Sequence, residues 1–323
     1  MRIAVDAMGG DHAPVEIVAG AVKWVAEEEG RQAFLVGQEE LLKQELKPYS
    51  YDPSRLSVIN ASEIIAMEES PATAIRRKKD ASIVVANRML KEKKADAILS
   101  CGSTGAQMAA AIFILGRMEG IERPPIVASI PNMTGAYTLL IDVGANVDCK
   151  PRQLLQFALL GKTYASIIYG VEQPRVALLN NGEEESKGNS AIVETYALLR
   201  QQPGINFTGN IEGRDIFTGK SDVIVCDGFT GNVLLKTMEG MALFIAKGIL
   251  DAGGPLPAFF QRLDYTQTGG APLLGVNGLS IVCHGSSKRE AVYNGLKIAE
   301  DCYNKNIIEM QQLELSKAVE TEA

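Results

Sequence analysis

The chain has 323 residues, 46% of them hydrophobic and 22% charged, with a formal net charge of −7. That length buries a sizeable core, in one large α/β unit or two lobes, and the acidic balance argues against a nucleic-acid surface. The cysteines at 101, 149, 226, 283 and 302 form no CxxC pair and read as reduced thiols of a cytoplasmic protein. Arg2 leads straight into a first strand, so no signal peptide is expected. No apolar run reaches the roughly 18–20 residues that span a bilayer.

The first element is a short buried strand over Ile3, Ala4 and Val5. It stops at Asp6, and Gly9-Gly10 follows. Asp11 can cap the next helix and Pro14 suits its first turn. The stretch is either a tight βα turn or a small anion site at a helix N-terminus. It concentrates Asp6, Asp11 and His12, in a chain with only two histidines.

A helix is expected from Val15 to Glu29, then strands at Ala33–Val36 and Leu56–Ile59. Short apolar strands alternating with helices predict a parallel sheet covered on both faces, with ligands outside the carboxyl ends of its strands. Ser70-Pro71 opens a helix expected to run to about Lys94, carrying Arg76-Arg77-Lys78-Lys79. Four adjacent cations cannot all face a core. The run is either a solvated face or a dock for an acidic partner.

The strand at Ala97–Ser100 leads into Cys101-Gly102-Ser103-Thr104-Gly105 and an apolar helix to Leu115. Hydroxyls and N–H groups at a helix start suit phosphate oxygens, or simply cap the helix. No GxxxxGK[ST] loop is present. Pro124–Pro131 and Thr138–Val143 read as strands, the second running into Asp142-Val143-Gly144-Ala145-Asn146, a turn or a polar site. A helix from Pro151 and a strand at Arg175–Leu179 precede a polar loop, 180–189. There Lys187, beside Gly188, is placed to reach an anion as a point charge.

The strand Val223–Cys226 is followed by Asp227-Gly228-Phe229-Thr230-Gly231-Asn232 and a helix whose second half, Met241–Leu250, is apolar nearly all round. With Gly253-Gly254-Pro255 and Leu256–Leu263 it reads as a short apolar hairpin near 245–266, either buried or a surface for a dimer, acyl chains or lipid. The last strand, Leu279–Cys283, precedes His284-Gly285-Ser286-Ser287 and a final helix. Residues 1–310 read as one α/β catalytic unit, in one or two lobes, and 311–323 as a polar tail, expected to fray from Ser316.

DAMGGDHAP at 6–14, SCGSTGA at 100–106, DVGAN at 142–146, NNGEEESKGN at 180–189, CDGFTGN at 226–232, GGAPLLG at 269–275 and HGSS at 284–287 stand in the order found in the bacterial phosphate acyltransferases. The chain resembles that family from Met1 to about Asn304. The resemblance implies a Rossmann-like three-layer α/β sandwich with a mostly parallel sheet, related to phosphotransacetylases and isocitrate-type dehydrogenases. It implies transfer of a long-chain acyl group from acyl-acyl carrier protein to inorganic phosphate, for phospholipid synthesis. It further implies a homodimer, loosely held at the membrane, and a downstream glycerol 3-phosphate acyltransferase as partner. No cofactor is implied, and no ligand spacing demands a metal. The chain departs from the family at Cys101 and Ser103, where alanine and asparagine are usual, at Asn181 in place of an apolar residue, and in a shorter 247–265 stretch.

Phosphate dianion is itself a usable nucleophile, so no covalent enzyme intermediate is needed. On this reading the glycine turns at Gly9-Gly10, Gly102–Gly105 and Gly228–Gly231 hold phosphate, helped by Ser103, Thr104, Thr230 and Lys187. Asn232 donates to the thioester carbonyl oxygen. His284, in preference to His12, is the proton donor to the leaving thiol. Asp6, Asp11 and Asp227 would repel phosphate directly, so they orient neighbours or handle protons. Arg76 to Lys79 dock the acidic carrier protein. Two other readings are a phosphotransacetylase using acyl-coenzyme A and a non-catalytic scaffold of lipid synthesis.

Overall fold

Ile3, Ala4 and Val5 have no exposed surface, and the strand they build, β1 (Arg2–Asp6), is paired in parallel on both sides. A continuous apolar run of this kind belongs inside a sheet covered by helices on both faces. The structure, a computed structural model describing residues 1–257, 260 and 269–322, divides into two units. Each has its own sheet.

The first unit comprises Met1–Arg117 and Thr266–Ile308. Its strands are β1, β2 (Gln32–Gly37), β3 (Leu56–Asn60), β4 (Ala97–Ser100), β10 (Ala271–Leu273) and β11 (Leu279–Val282). Among the described residues they form the order β10-β11-β4-β1-β2-β3, parallel except for β10 against β11. The helices α1 (Val15–Glu27), α2 (Glu39–Leu46), α3 (Pro71–Arg77), α4 (Ser82–Lys91), α5 (Thr104–Ala110) and α9 (Arg289–Asn304) surround them. Trp24, Leu35, Ile98 and Leu99 are fully buried in the core.

One helix was expected from Ser70 to about Lys94; two are found. The chain leaves the helix at Lys78, and Asp80 accepts hydrogen bonds from the Ser62 N–H at 2.8 Å and hydroxyl at 2.6 Å. Ala81 then bridges to Glu63. This break places Ser82, not a mid-helix residue, at the head of α4. After α5 the chain widens into a π turn, Ala111–Leu115, at the end of the expected apolar helix.

The second unit comprises Met118–Tyr265 and Glu309–Ala323. Its strands are β5 (Val127–Pro131), β6 (Tyr137–Ile141), β7 (Arg175–Asn180), β8 (Asn206–Glu212) and β9 (Val223–Val225), in the order β5-β6-β9-β7-β8 among the described residues. Only β5 runs antiparallel to its neighbour. The helices are α6 (Pro151–Tyr169), α7 (Ser190–Gln201), α8 (Gly228–Asp251) and α10 (Ile307–Glu322). The mostly parallel α/β reading is borne out, with the strands sorted into two sheets.

The C-terminal helix α10 takes in the polar tail as far as Glu322. Gln311 and Leu315, four residues apart, are buried, and Glu314 pairs with Lys162 of α6 at 2.5 Å. The apolar hairpin expected near 245–266 is described in part: 245–251 complete α8, whereas 258, 259 and 261–268 lie outside the described residues. Among the described residues no helix is long and apolar enough to cross a membrane.

Candidate functional site

In the first unit Asp6 pairs in register with Ser100, and Ser100 with Val282. The strands β1, β4 and β11 therefore end level, and their three following loops start side by side at the carboxyl edge of the sheet. That edge is where open α/β sheets bind ligands.

Asp6 lies beneath these loops, 3% exposed. Its Oδ2 accepts the Ser100 hydroxyl at 2.7 Å and its Oδ1 the Met8 N–H at 3.4 Å, and Ser82 borders the same recess. Burial pushes this carboxyl above the ordinary aspartate range, while the hydroxyls of Ser82 and Ser100 and the loop N–H groups pull it back. The Ser100 oxygen in turn accepts the Gly102 N–H at 3.0 Å, so that N–H orders the loop and is not offered to an anion.

Gly10, at φ +105°, has room only for hydrogen. A Cβ there would lie 2.9 Å from the Cys101 carbonyl oxygen and 3.1 Å from that of Gly285. Gly9 packs in the same way on Gly102. The Asp11 N–H donates to the Gly285 carbonyl at 2.8 Å. The loops after β1, β4 and β11 are thus laced backbone to backbone. A recess of about 10 Å³ lies between the loops after β1 and β4 and the start of α4, bordered by Asp6, Gly9, Ser82, Ser100, Gly102 and Ser103.

Ser103 caps α5, accepting the Ala106 N–H at 3.4 Å, and Thr104 and Gly105 form its first turn. Gly105 packs on Pro71 of α3. The Asp11 carboxylate is exposed beside Gly285, and His12 is half-buried. Near His12, Glu16 is held below its usual carboxylate range by its hydrogen bonds to Arg289. His284 is exposed, with Nδ1 turned to Ser286. Cys101 is buried, and the neighbouring Cys283 together with burial pushes its thiol well up. A thiol held in that state is a poor nucleophile.

In the second unit the equivalent place is held by Asp142, fully buried just after β6. Its Oδ1 accepts the N–H groups of Ile126 (3.0 Å), Gly144 (3.2 Å) and Ala145 (3.1 Å). Its Oδ2 accepts the Asn146 N–H at 2.7 Å and the Asn146 side-chain amide at 2.9 Å. Burial pushes this carboxyl up against the pull of those donors. The loop after β9 docks on this cage. The Gly228 N–H donates to the Asn146 carbonyl at 2.7 Å, and Gly231 sits so tightly on the Asp142 carbonyl that any Cβ there would overlap it.

Asp227 is the N-cap of α8, accepting the Thr230 N–H and hydroxyl, each at 2.8 Å. Asn232 is exposed on the first turn, with its side chain beside Gly144. Lys187 is exposed in the 180–189 loop, where its N–H donates to Glu184 and its carbonyl accepts from Asn180. Of α8's described residues only Gly228 and Gly231 are buried; Leu243 is 64% exposed and Phe244 75%.

The basic run divides. Arg76 lies over the exposed Phe113 ring at 5.1 Å, and Arg77 and Lys79 are exposed. Lys78 turns inward to Glu69 at 2.6 Å and the Ile64 carbonyl at 2.7 Å. Ser82, Asp142, Asn146 and Ser286 carry much of this geometry without having been assigned roles from sequence. DVGAN and HGSS hold three of them in visible polar turns. Nothing local marks Ser82, whose place follows from the helix break at 78–81. Among the described residues no group of three His, Cys, Asp or Glu side chains is placed to hold a metal.

A family model described as fatty acid synthesis protein matches residues 1–310. A phosphate acyltransferase of Syntrophomonas wolfei is 93% identical over 317 residues, 98% of this chain and 99% of that one. Another, of Heliobacterium modesticaldum, is 52% identical over 335 aligned positions, 99% of each chain. Among solved structures, a phosphotransacetylase of Streptococcus pyogenes has a TM-score of 0.61 at 18% identity, over 99% of this chain and 94% of that one. A branched-chain phosphotransacylase of Enterococcus faecalis has a TM-score of 0.62 at 15% identity, over 94% and 99%. These two share the fold.

Proposed function

Since the chain belongs to the phosphate acyltransferase family, and so is an acyltransferase, we propose that it moves a long-chain fatty acyl group from acyl-acyl carrier protein to inorganic phosphate by direct attack on the thioester. The observation that carries this reading is the lacing of the loops after β1, β4 and β11 around buried Asp6. Such a frame suits a reaction whose main demand is to orient a nucleophile already competent in water. Orientation supplies up to roughly 7–11 kcal/mol in the best cases, and an oxyanion donor roughly 3–4.

Ser103 and the first turn of α5 offer hydroxyl and N–H donors to phosphate, and Lys187 offers a cation. Asn232 supplies a donor for the carbonyl oxygen, and His284 acts at the leaving thiol. Asp6 and Asp227 position loops: each accepts from its own neighbourhood, so neither confronts the anion bare. The carrier protein, being acidic, docks on Arg76, Arg77 and Lys79. The exposed apolar face of α8 is covered by a second copy in a homodimer. The product is a mixed anhydride of a fatty acid. A place in the cytoplasm at the inner face of the membrane, beside an acyltransferase that consumes it, suits that chemistry.

The test is phosphate-dependent loss of palmitoyl-acyl carrier protein, with hydroxylamine trapping of acyl phosphate, run beside palmitoyl-coenzyme A. Turnover with the carrier protein alone is expected. Turnover with the coenzyme A ester instead would assign a phosphotransacetylase activity.

A further inference from the structure

The turn after β11 fixes the ring of His284. The Ser286 backbone N–H donates to His284 Nδ1 at 3.2 Å, and the Ser286 hydroxyl oxygen lies 2.7 Å from the same nitrogen. The turn is pinned on both sides: the Ser287 N–H donates to the His284 carbonyl at 2.9 Å, and the Asp11 N–H to the Gly285 carbonyl at 2.8 Å. A hydroxyl can donate or accept, so it selects no tautomer by itself. An amide N–H can only donate. Nδ1 is therefore the bare nitrogen of the ring, and a neutral imidazole then carries its one proton on Nε2. A doubly protonated ring would set Nδ1–H against the amide hydrogen.

We propose that Ser286 is a positioning residue for acyl transfer, holding His284 as the neutral Nε2–H tautomer so that the ring donates a hydrogen bond, and not a proton, to the departing sulfur. The proposal rests on the placement of His284 at the leaving thiol given above and changes its chemistry. Loss of the Nε2 proton from a neutral ring would leave an imidazolate, which is far too basic to form beside a thiolate. The proton balance closes without it. An unprotonated oxygen of monohydrogen phosphate forms the new C–O bond, the C–S bond breaks and its electron pair leaves on sulfur. The proton that entered on phosphate ends on that sulfur. Monohydrogen phosphate and thioester thus give acyl phosphate dianion and thiol, and His284 is unchanged.

The chain has only two histidines, His12 and His284, so full-length protein labelled with nitrogen-15 histidine gives two rings, assigned with a His284→Gln variant. Long-range proton–nitrogen correlations at alkaline pH are expected to show His284 with Nδ1 bare and Nε2 protonated; a proton on Nδ1 would overturn the proposal. Ser286→Pro, which removes the backbone N–H, is expected to lower kcat about three- to tenfold with both KM values held within about twofold, the scale of one hydrogen bond, whereas Ser286→Ala keeps that N–H and is expected to keep the Nε2–H tautomer and kcat within about twofold. A tautomer moved to Nδ1–H in Ser286→Ala, or an unchanged kcat in folded Ser286→Pro, would refute the positioning role. Full turnover by His284→Gln would instead remove His284 from the reaction, a failure of the underlying reading that the tautomer result does not share.

Discussion

Asp6 and Asp142 are the same device wired in two ways. Each is a buried aspartate at the carboxyl end of a parallel strand, beneath a glycine loop that opens a site. Asp142 is caged by its own loop: three of its five donors come from Gly144, Ala145 and Asn146 N–H groups within four residues, with the Asn146 amide and the Ile126 N–H completing the set. Asp6 instead takes its shortest bond from the Ser100 hydroxyl, far away in sequence, with the Ser82 side chain beside it and one local donor, the Met8 N–H. The local cage makes a rigid platform on which α8 starts. The long-range bond ties β1 to β4, so the loops after them keep their order only when the sheet is folded.

This contrast is exposed to mutation. The largest effect is expected on the platform: Gly231→Ala drives a methyl group into the Asp142 carbonyl and costs about 3 kcal/mol or more, seen as a large loss of Tm. A wild-type Tm would show that the platform yields. Next, Asp142→Asn sets an amide donor against the Asn146 donors and costs about 2–5 kcal/mol in chemical denaturation. Asp6→Asn costs about 1 kcal/mol, because the Ser82 and Ser100 hydroxyls can rotate to suit an amide. Equal losses at the two sites would erase the distinction.

Burial raises both carboxyls, so Asp6 and Asp142 share one direction of pH dependence, read most readily at Asp6, where the substitution costs less. The Asp6 carboxyl is raised by burial, so its contribution to stability is complete below the unfolded value of about 4 and is lost as pH rises through the folded value. The stability gap between wild type and Asp6→Asn is therefore widest near the unfolded value and closes at higher pH. A gap that widens with pH would mean that Asp6 is stabilised as the anion.

The smallest effect belongs to the surface. Alanine at Arg76, Arg77 and Lys79 together weakens carrier-protein affinity, less so as salt rises, whereas Lys78→Ala leaves it unaltered because Lys78 is engaged with Glu69. Weakening by Lys78→Ala to the same degree would return the run to an undivided patch.

The loops themselves were legible in the sequence because strand-end sites gather glycine, aspartate and serine directly after apolar runs, and that pattern is local. The α/β class followed from the same alternation. What escaped was set at long range. Ser82 looks like a mid-helix serine until the Ser62–Asp80 bonds break the helix before it. The edge strands β8 and β10 escaped because one is polar along most of its length and the other has three residues around Pro272. The division of strands between two sheets depends on pairing, which composition does not encode. Ser286 stood in plain view in HGSS, but its importance lies in the direction of one backbone N–H.

Phosphate binding at the recess above Asp6 is tested by the phosphate dependence of turnover in Ser103→Ala, since Ser103 borders that recess. Phosphate KM is expected to rise about tenfold, the weight of one lost hydrogen bond to an anion, with the acyl-donor KM unchanged. An unchanged phosphate KM beside a raised acyl-donor KM would contradict the placement of phosphate on the loops of the first unit.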